Sequence, residues 1–283
     1  MPTDVNRPGI AVVAVLGAMG LFGLIDNFMR LAAQTGGLWQ FHFLRAVVAL
    51  VLLVVVARFA GTSLRPKRPL NVLGRSTLNG TAMVIYFGCL GLMPIAQVVA
   101  GLFTAPLWVV LFSVAFFGER VGPRRIFAVL LGFAGIVLVL RPDAGAFSPL
   151  SVLPVIAGAV YALGNIATRR WCGGEGTLTL LGGFFGMMMV FGALGVVVLA
   201  LFPQPVPNGA DGFILRGWVA PVGVYGLMIL VQGVGSLIRH TRDVATGRFT
   251  PPPPQPPVDP LDEPLTPREL RQMMVDIATI RSA

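Results

Sequence analysis

Apolar and polar positions along this chain alternate in long blocks rather than by faces. The clearest block is Ala96 to Phe117, AQVVAGLFTAPLWVVLFSVAFF, 22 residues without a charge. A helix needs about 20 such residues to cross a hydrocarbon core. A polar turn follows, GERVGPRR, in which Gly118, Gly122 and Pro123 turn the chain and Glu119, Arg120, Arg124 and Arg125 carry charge. The chain then re-enters an apolar run, IFAVLLGFAGIVLVL, that stops at Arg141. Two crossings joined by a basic turn describe an integral membrane protein. The same reading along the whole sequence predicts eight membrane helices, at about 9–30, 37–59, 76–93, 96–117, 126–140, 150–168, 177–202 and 213–238. Pro106, Pro154 and Pro221 fall inside three of them. A helix bundle tolerates this, because neighbouring helices satisfy the freed backbone groups.

Beyond residue 238 the pattern changes. Eight of the sixteen residues from Phe249 to Pro264 are proline, and such a run is extended, solvated and unable to pack a core. The grammar of a helix returns after it. Thr266 is a cap, Pro267 suits the first position, and Glu269 completes a capping box. Leu270, Met273, Met274, Ile277 and Ile280 then share one face of a short amphipathic helix.

Charge distribution predicts the orientation. One set of alternate loops holds Arg7; Arg65, Lys67, Arg68 and Arg75; Arg120, Arg124 and Arg125; Arg169 and Arg170; and Arg239, Arg242 and Arg248. The other set holds Arg141, with Arg30 and Arg216 at helix ends. The positive-inside rule places both termini in the cytoplasm and the chain in a bacterial-type inner membrane. A weak internal repeat accompanies this. GAMGLFG at Gly17–Gly23 in the first helix matches GAVYALG at Gly158–Gly164 in the sixth. Five crossings per repeat would invert the second copy. The domains expected are a five-helix repeat over 1–142, an incomplete three-helix second repeat over 150–238, and a cytoplasmic proline-rich tail over 239–283. The fold class is an all-α integral membrane protein.

Composition sharpens the exclusions. The chain is 55% hydrophobic and 12% charged, against roughly 25% charged in soluble domains. Its net charge of +9 sits in short loops and forms no stripe, so nucleic acid is not the expected partner. Two cysteines, Cys89 and Cys172, and two histidines predict neither a disulfide framework nor a metal site. No Ser-His-Asp set, phosphate loop or carboxylate pair in a polar context points to an enzyme, and no cofactor is expected.

Helices four and five, FTAPLWVVLFSVAFFGERVGPRRIFAVLLGFAGIVLVLRP, resemble the EamA repeat of the drug/metabolite transporter superfamily. The shared features are a mid-helix proline (Pro106), a Gly-Glu-Arg turn (Glu119, Arg120), and a G-x-x-G helix ending in Arg-Pro. LIDNFMRLAAQTGGLWQFHFLRAVVAL is also similar to that family's opening, including the arginine inside helix two. The resemblance implies a ten-helix bundle of two inverted repeats that moves small metabolites by alternating access. The sequence departs from that pattern after helix eight. The uncovered apolar face then predicts a homo-oligomer or an unstable monomer with little transport of its own. A non-transporting scaffold whose tail helix binds a partner is the alternative. Expected partners are the lipid bilayer and a small-molecule substrate.

The candidate site residues are the polar groups stranded in apolar runs. Asp26 and Arg45 are expected to pair, since a charge at membrane depth needs a partner or water. That pair either locks helices one and two or lines a cavity, with Asp26 able to exchange a proton. Trp39, Tyr86, Gln97 and Asn165 are the remaining substrate-binding candidates, as apolar walls with a few polar groups make a small-molecule cavity. Pro106, Glu119 and Arg120 are structural, and Gly182 with Gly186 reads as a packing face.

Overall fold

The computed structural model describes residues 25–117 and 149–245, together with 122, 127, 131, 132, 134 and 135. The chain divides into two compact units, 1–242 and 243–283. The second lies outside the described residues beyond Ala245, and with it the proline run and the amphipathic tail helix. The Gly17–Gly23 motif, Glu119, Arg120 and Arg141 also lie outside them.

Every described regular element is helical: α1 (Met29–Ala33), α2 (Leu38–Phe59), α3 (Pro69–Leu92), α4 (Ile95–Leu102), α5 (Ala105–Phe117), α6 (Leu153–Trp171), α7 (Thr177–Leu201) and α8 (Gly223–Ala245), with single 3₁₀ turns at Pro149–Val152 and Gly209–Gly212. Four spans among the described residues are long and apolar enough to cross a membrane: Leu38–Phe59, Ile95–Phe116, Leu150–Trp171 and Thr177–Leu201. Large apolar side chains cover their outer surfaces. Val190, Leu194, Val197, Val198 and Leu201 of α7 are all exposed, an arrangement that suits lipid rather than water.

Three boundaries differ from the sequence expectation. Helix α3 starts at Pro69 rather than near 76, because its polar first turns are satisfied by other elements. Arg75 donates from Nε to Thr168 Oγ1 (3.0 Å) and from Nη1 to the Leu180 carbonyl (2.9 Å). The Asn71 amide donates to the Trp171 carbonyl (2.9 Å). Glu175 accepts the backbone N–H groups of Lys67 and Arg68 just before the helix, at 3.1 and 2.7 Å. The 96–117 run is two helices, broken at Phe103–Thr104. Pro106 has no N–H for the Leu102 carbonyl, and Thr104 folds its hydroxyl back to the Gly101 carbonyl (2.6 Å). The eighth helix starts at Gly223, where φ is +61°, rather than at 213. Residues 213–222 instead cross the end of the bundle as a strap, whose mostly apolar sequence reads as a continuation of the helix.

Glycines set the close crossings. Helix α7 meets α2 at Gly192, where a Cβ would lie 2.5 Å from the Phe43 backbone nitrogen, and at Gly195, which is covered by the Trp39 ring. Gly164 of α6 sits against the Asn79 side chain of α3, and Gly158 receives the Gly101–Ala105 break of the fourth span. The expected packing pair is only half used: a Cβ at Gly182 would lie 3.2 Å from Leu53, while one at Gly186 would meet nothing within 4 Å. Helix α2 thus lies along α7, and α3 along α6.

Candidate functional site

One turn and a half into the bundle from the strap end, α2 turns Phe41, His42 and Arg45 inward, at spacings that share one helix face. All three are buried, with Arg45 4% and His42 0% exposed. Helix α3 meets them with Tyr86 and Phe87. The His42 and Phe87 rings are edge to face at 5.3 Å, and the Arg45 guanidinium lies over Phe87 at 4.7 Å and Phe41 at 5.4 Å. Met188 of α7 brings its sulfur to 3.8 Å from Arg45 Nη2. Gly233 lets α8 close on α2 here, since a Cβ at that position would lie 2.8 Å from Val48 and 3.3 Å from the Arg45 carbonyl.

Asp26 reaches the same region from the segment preceding α1. Tyr86 donates its hydroxyl to Asp26 Oδ2 (2.9 Å), and the Gln232 amide of α8 donates to Oδ1 (2.9 Å). The expected direct Asp26–Arg45 pair is therefore not formed. The carboxylate is taken by neutral donors and the guanidinium by aromatic faces. The reason is geometric. Arg45 Nη2 sits 3.4 Å from His42 Nδ1, one helical turn back on α2, which keeps it beside its own helix.

That contact fixes the imidazole tautomer. Arginine only donates, so Nδ1 accepts and the ring proton is on Nε2. His42 Nε2 and Arg45 Nε are then two buried donors with no acceptor. An unmet buried donor costs about 1–3 kcal/mol, and the interior here holds two of them. A second pair of unmet groups, Ser76 Oγ and Asn79 Oδ1, lies further along α3 toward the basic end.

The remaining candidates separate from this cluster. Trp39 donates Nε1 to the Ile214 carbonyl (3.0 Å) and packs on Gly195, so it holds the strap. Gln97 and Asn165 are half-buried, and no side-chain hydrogen bond ties either to the cluster. Gln40, His42, Met188 and Gln232 were absent from the sequence candidates. Gln232 is the one polar residue between Gly226 and Gly233, and His42 stands three before Arg45, so both carried a signal. Gln40 exchanges two hydrogen bonds with Val219 (2.7 and 2.9 Å) and is a strap residue. Arg216 completes the strap by donating to the carbonyls of Ala33, Gly36 and Gly209 at 2.8, 2.7 and 2.8 Å.

Comparison with known proteins agrees with this architecture. Residues 9–141 match the EamA-like transporter family. A riboflavin transporter of Rhizobium johnstonii is 26% identical over 80% of this chain and 78% of its own length. A pseudopaline exporter of Pseudomonas aeruginosa is 26% identical over 81% and 78%. An S-adenosylmethionine uptake transporter of Rickettsia conorii is 26% identical over 67% of this chain and 59% of its own. A protein crystal structure, 24% identical, superposes with a TM-score of 0.50 over 80% of this chain and 76% of that one, a likeness of fold alone. The chain is a multi-pass, all-helical membrane protein, and its residues 9–141 are similar to the EamA-like transporter family.

Proposed function

We propose that this protein carries a small polar metabolite across the cytoplasmic membrane by alternating access, with Asp26, His42, Arg45, Tyr86 and Gln232 as its binding site. The observation that carries the reading is the pair of unmet donors on His42 and Arg45, buried in a bundle whose Asp26 carboxylate is held by the neutral donors Tyr86 and Gln232. A purely structural ion pair would have closed on itself. Binding to a ligand acceptor removes the cost of those donors, which makes occupancy favourable at a point that water reaches poorly.

The helix arrangement supports alternating access. If α6, α7 and α8 repeat the first three crossings in inverted order, exchange of the halves maps the α2–α7 contact onto itself. It also maps the α3–α6 contact onto one between the first helix and α8. The Asp26–Gln232 hydrogen bond is a contact of that second kind. Sites of inverted-repeat transporters lie at such repeat interfaces. The relatives named are a riboflavin transporter, a pseudopaline exporter and an S-adenosylmethionine uptake transporter, which handle unlike molecules. They support small-molecule passage and leave the substrate to be read from this chain's own groups.

The test is a comparison of intracellular and extracellular metabolites in cells lacking the gene and in cells expressing it, or its Arg45→Gln variant, at matched membrane levels. At least one metabolite should shift between the compartments with the wild type and not with the variant. Identical profiles in all three would overturn the reading in favour of a non-transporting membrane scaffold.

A further inference from the structure

At the basic end of the bundle, the start of α3 runs beside the end of α6 in a fixed register. Lys67 Nζ donates to the Gly174 carbonyl (3.0 Å), and the Asn71 amide to the Trp171 carbonyl (2.9 Å). A Cβ at Gly74 would lie 3.5 Å from the Trp171 ring, and Arg75 Nε reaches Thr168 Oγ1 at 3.0 Å. Exposed cations and exposed apolar side chains stand together around this contact. Arg68 precedes α3 and Arg169 lies in the last turn of α6, both exposed. Leu70 is 79%, Leu73 52% and Trp171 45% exposed. Glu175 is the carboxylate of this corner, and it is spent on the backbone N–H groups of Lys67 and Arg68. Among the described residues no ion pair or hydrogen bond holds the guanidinium of Arg68 or Arg169.

We propose that this corner binds an anionic phospholipid, its phosphate on Arg68 and Arg169 and its acyl chains along Leu70, Leu73 and Trp171. The corner stands apart from the cluster around Arg45, and its occupancy does not depend on the transport reading. Charge and surface together decide among the occupants. A soluble anion such as inorganic phosphate would answer the two guanidinia and leave three large apolar side chains uncovered. A zwitterionic lipid would cover those side chains, but its own cation would offset the charge it brings. An anionic lipid supplies both the charge and the chains. Arginine suits the role, because its planar fork takes phosphate oxygens two at a time. Tryptophan suits the depth, because its ring settles at the headgroup level. The bound lipid touches both α3 and α6, so it holds that crossing together.

The full-length protein, purified in detergent, tests this by equilibrium binding and thermal melting. The probes are phosphatidylglycerol, phosphatidylcholine with the same acyl chains, and inorganic phosphate. Phosphatidylglycerol should bind about tenfold or more tightly than phosphatidylcholine, at about fivefold for each arginine engaged. It should also raise the melting temperature as its concentration rises, while phosphate at the same concentrations leaves it unchanged. Arg68→Gln and Arg169→Gln should each weaken phosphatidylglycerol about fivefold and leave phosphatidylcholine unchanged. Trp171→Ala should weaken both lipids. Arg58→Gln removes an exposed charge from the end of α2 instead, and should change binding by less than about twofold. Equal affinity for the two lipids overturns the proposal. So does phosphate that stabilises as well as the anionic lipid, or an Arg58→Gln effect as large as that of Arg169→Gln, which marks diffuse surface charge. The comparison of probes on the wild type decides the matter even if a variant fails to fold.

Discussion

At the scale of single residues, the site holds two opposite charges near each other without letting them touch. Removing one charge leaves the other uncompensated in the interior, so Asp26→Asn or Arg45→Met alone should lower stability by about 2–4 kcal/mol. Removing both leaves no buried charge, and the double variant should melt at or above the wild-type temperature while binding nothing. Thermal melts of the four proteins check this. A double variant as unstable as the sum of the singles would show independent structural roles. Tyr86→Phe takes one of two donors from Asp26 and should cost about 1–2 kcal/mol. Asp26, Arg45 and Tyr86 were legible in the sequence, because a polar group in an apolar run needs a reason. Their true partners were not. Whether Asp26 meets a guanidinium or an amide depends on the rotation of α8, which apolar periodicity does not encode when every face of a helix is apolar.

At the scale of elements, close crossings and the strap hold the bundle. Gly192→Ala puts a methyl against the Phe43 backbone, 2.5 Å from its nitrogen, and should destabilise by about 2 kcal/mol or more. Gly186→Ala enters open space on the same helix and should be neutral or stabilising by about 0.5–1 kcal/mol. Melting temperatures of the two variants separate these outcomes, and equal effects would contradict the crossing. Arg216→Ala frees the carbonyls of Ala33, Gly36 and Gly209 that anchor the strap and should cost about 2 kcal/mol, with faster proteolysis within 203–222. Helices α2 and α7 were legible almost to the residue, since their predominantly apolar runs of 22 and 25 residues are bounded by glycine and polar turns. The start of α3 and the strap were not. Polar residues in α3 are satisfied by distant chain, and apolar residues 213–222 lie on the bundle instead of continuing the helix.

At the scale of the whole molecule, the arginine asymmetry predicts that Asn208 faces outward and Thr250 inward. Cysteines placed at these positions should be labelled from opposite sides of the membrane, and labelling of both from the same side would break the inverted-repeat argument. The membrane class and the likeness of residues 9–141 to the EamA-like family were legible from block length and the turn at 118–125. The assembly of the site from five elements was not, because Asp26 and Gln232 are 206 residues apart. The central claim is that these elements carry a solute. Its most direct measurement is flux into liposomes containing the purified chain, incubated with a whole-cell metabolite extract and analysed for their contents. Liposomes with the wild type should accumulate at least one metabolite that protein-free and Arg45→Gln liposomes do not; equal contents in all three would contradict the account.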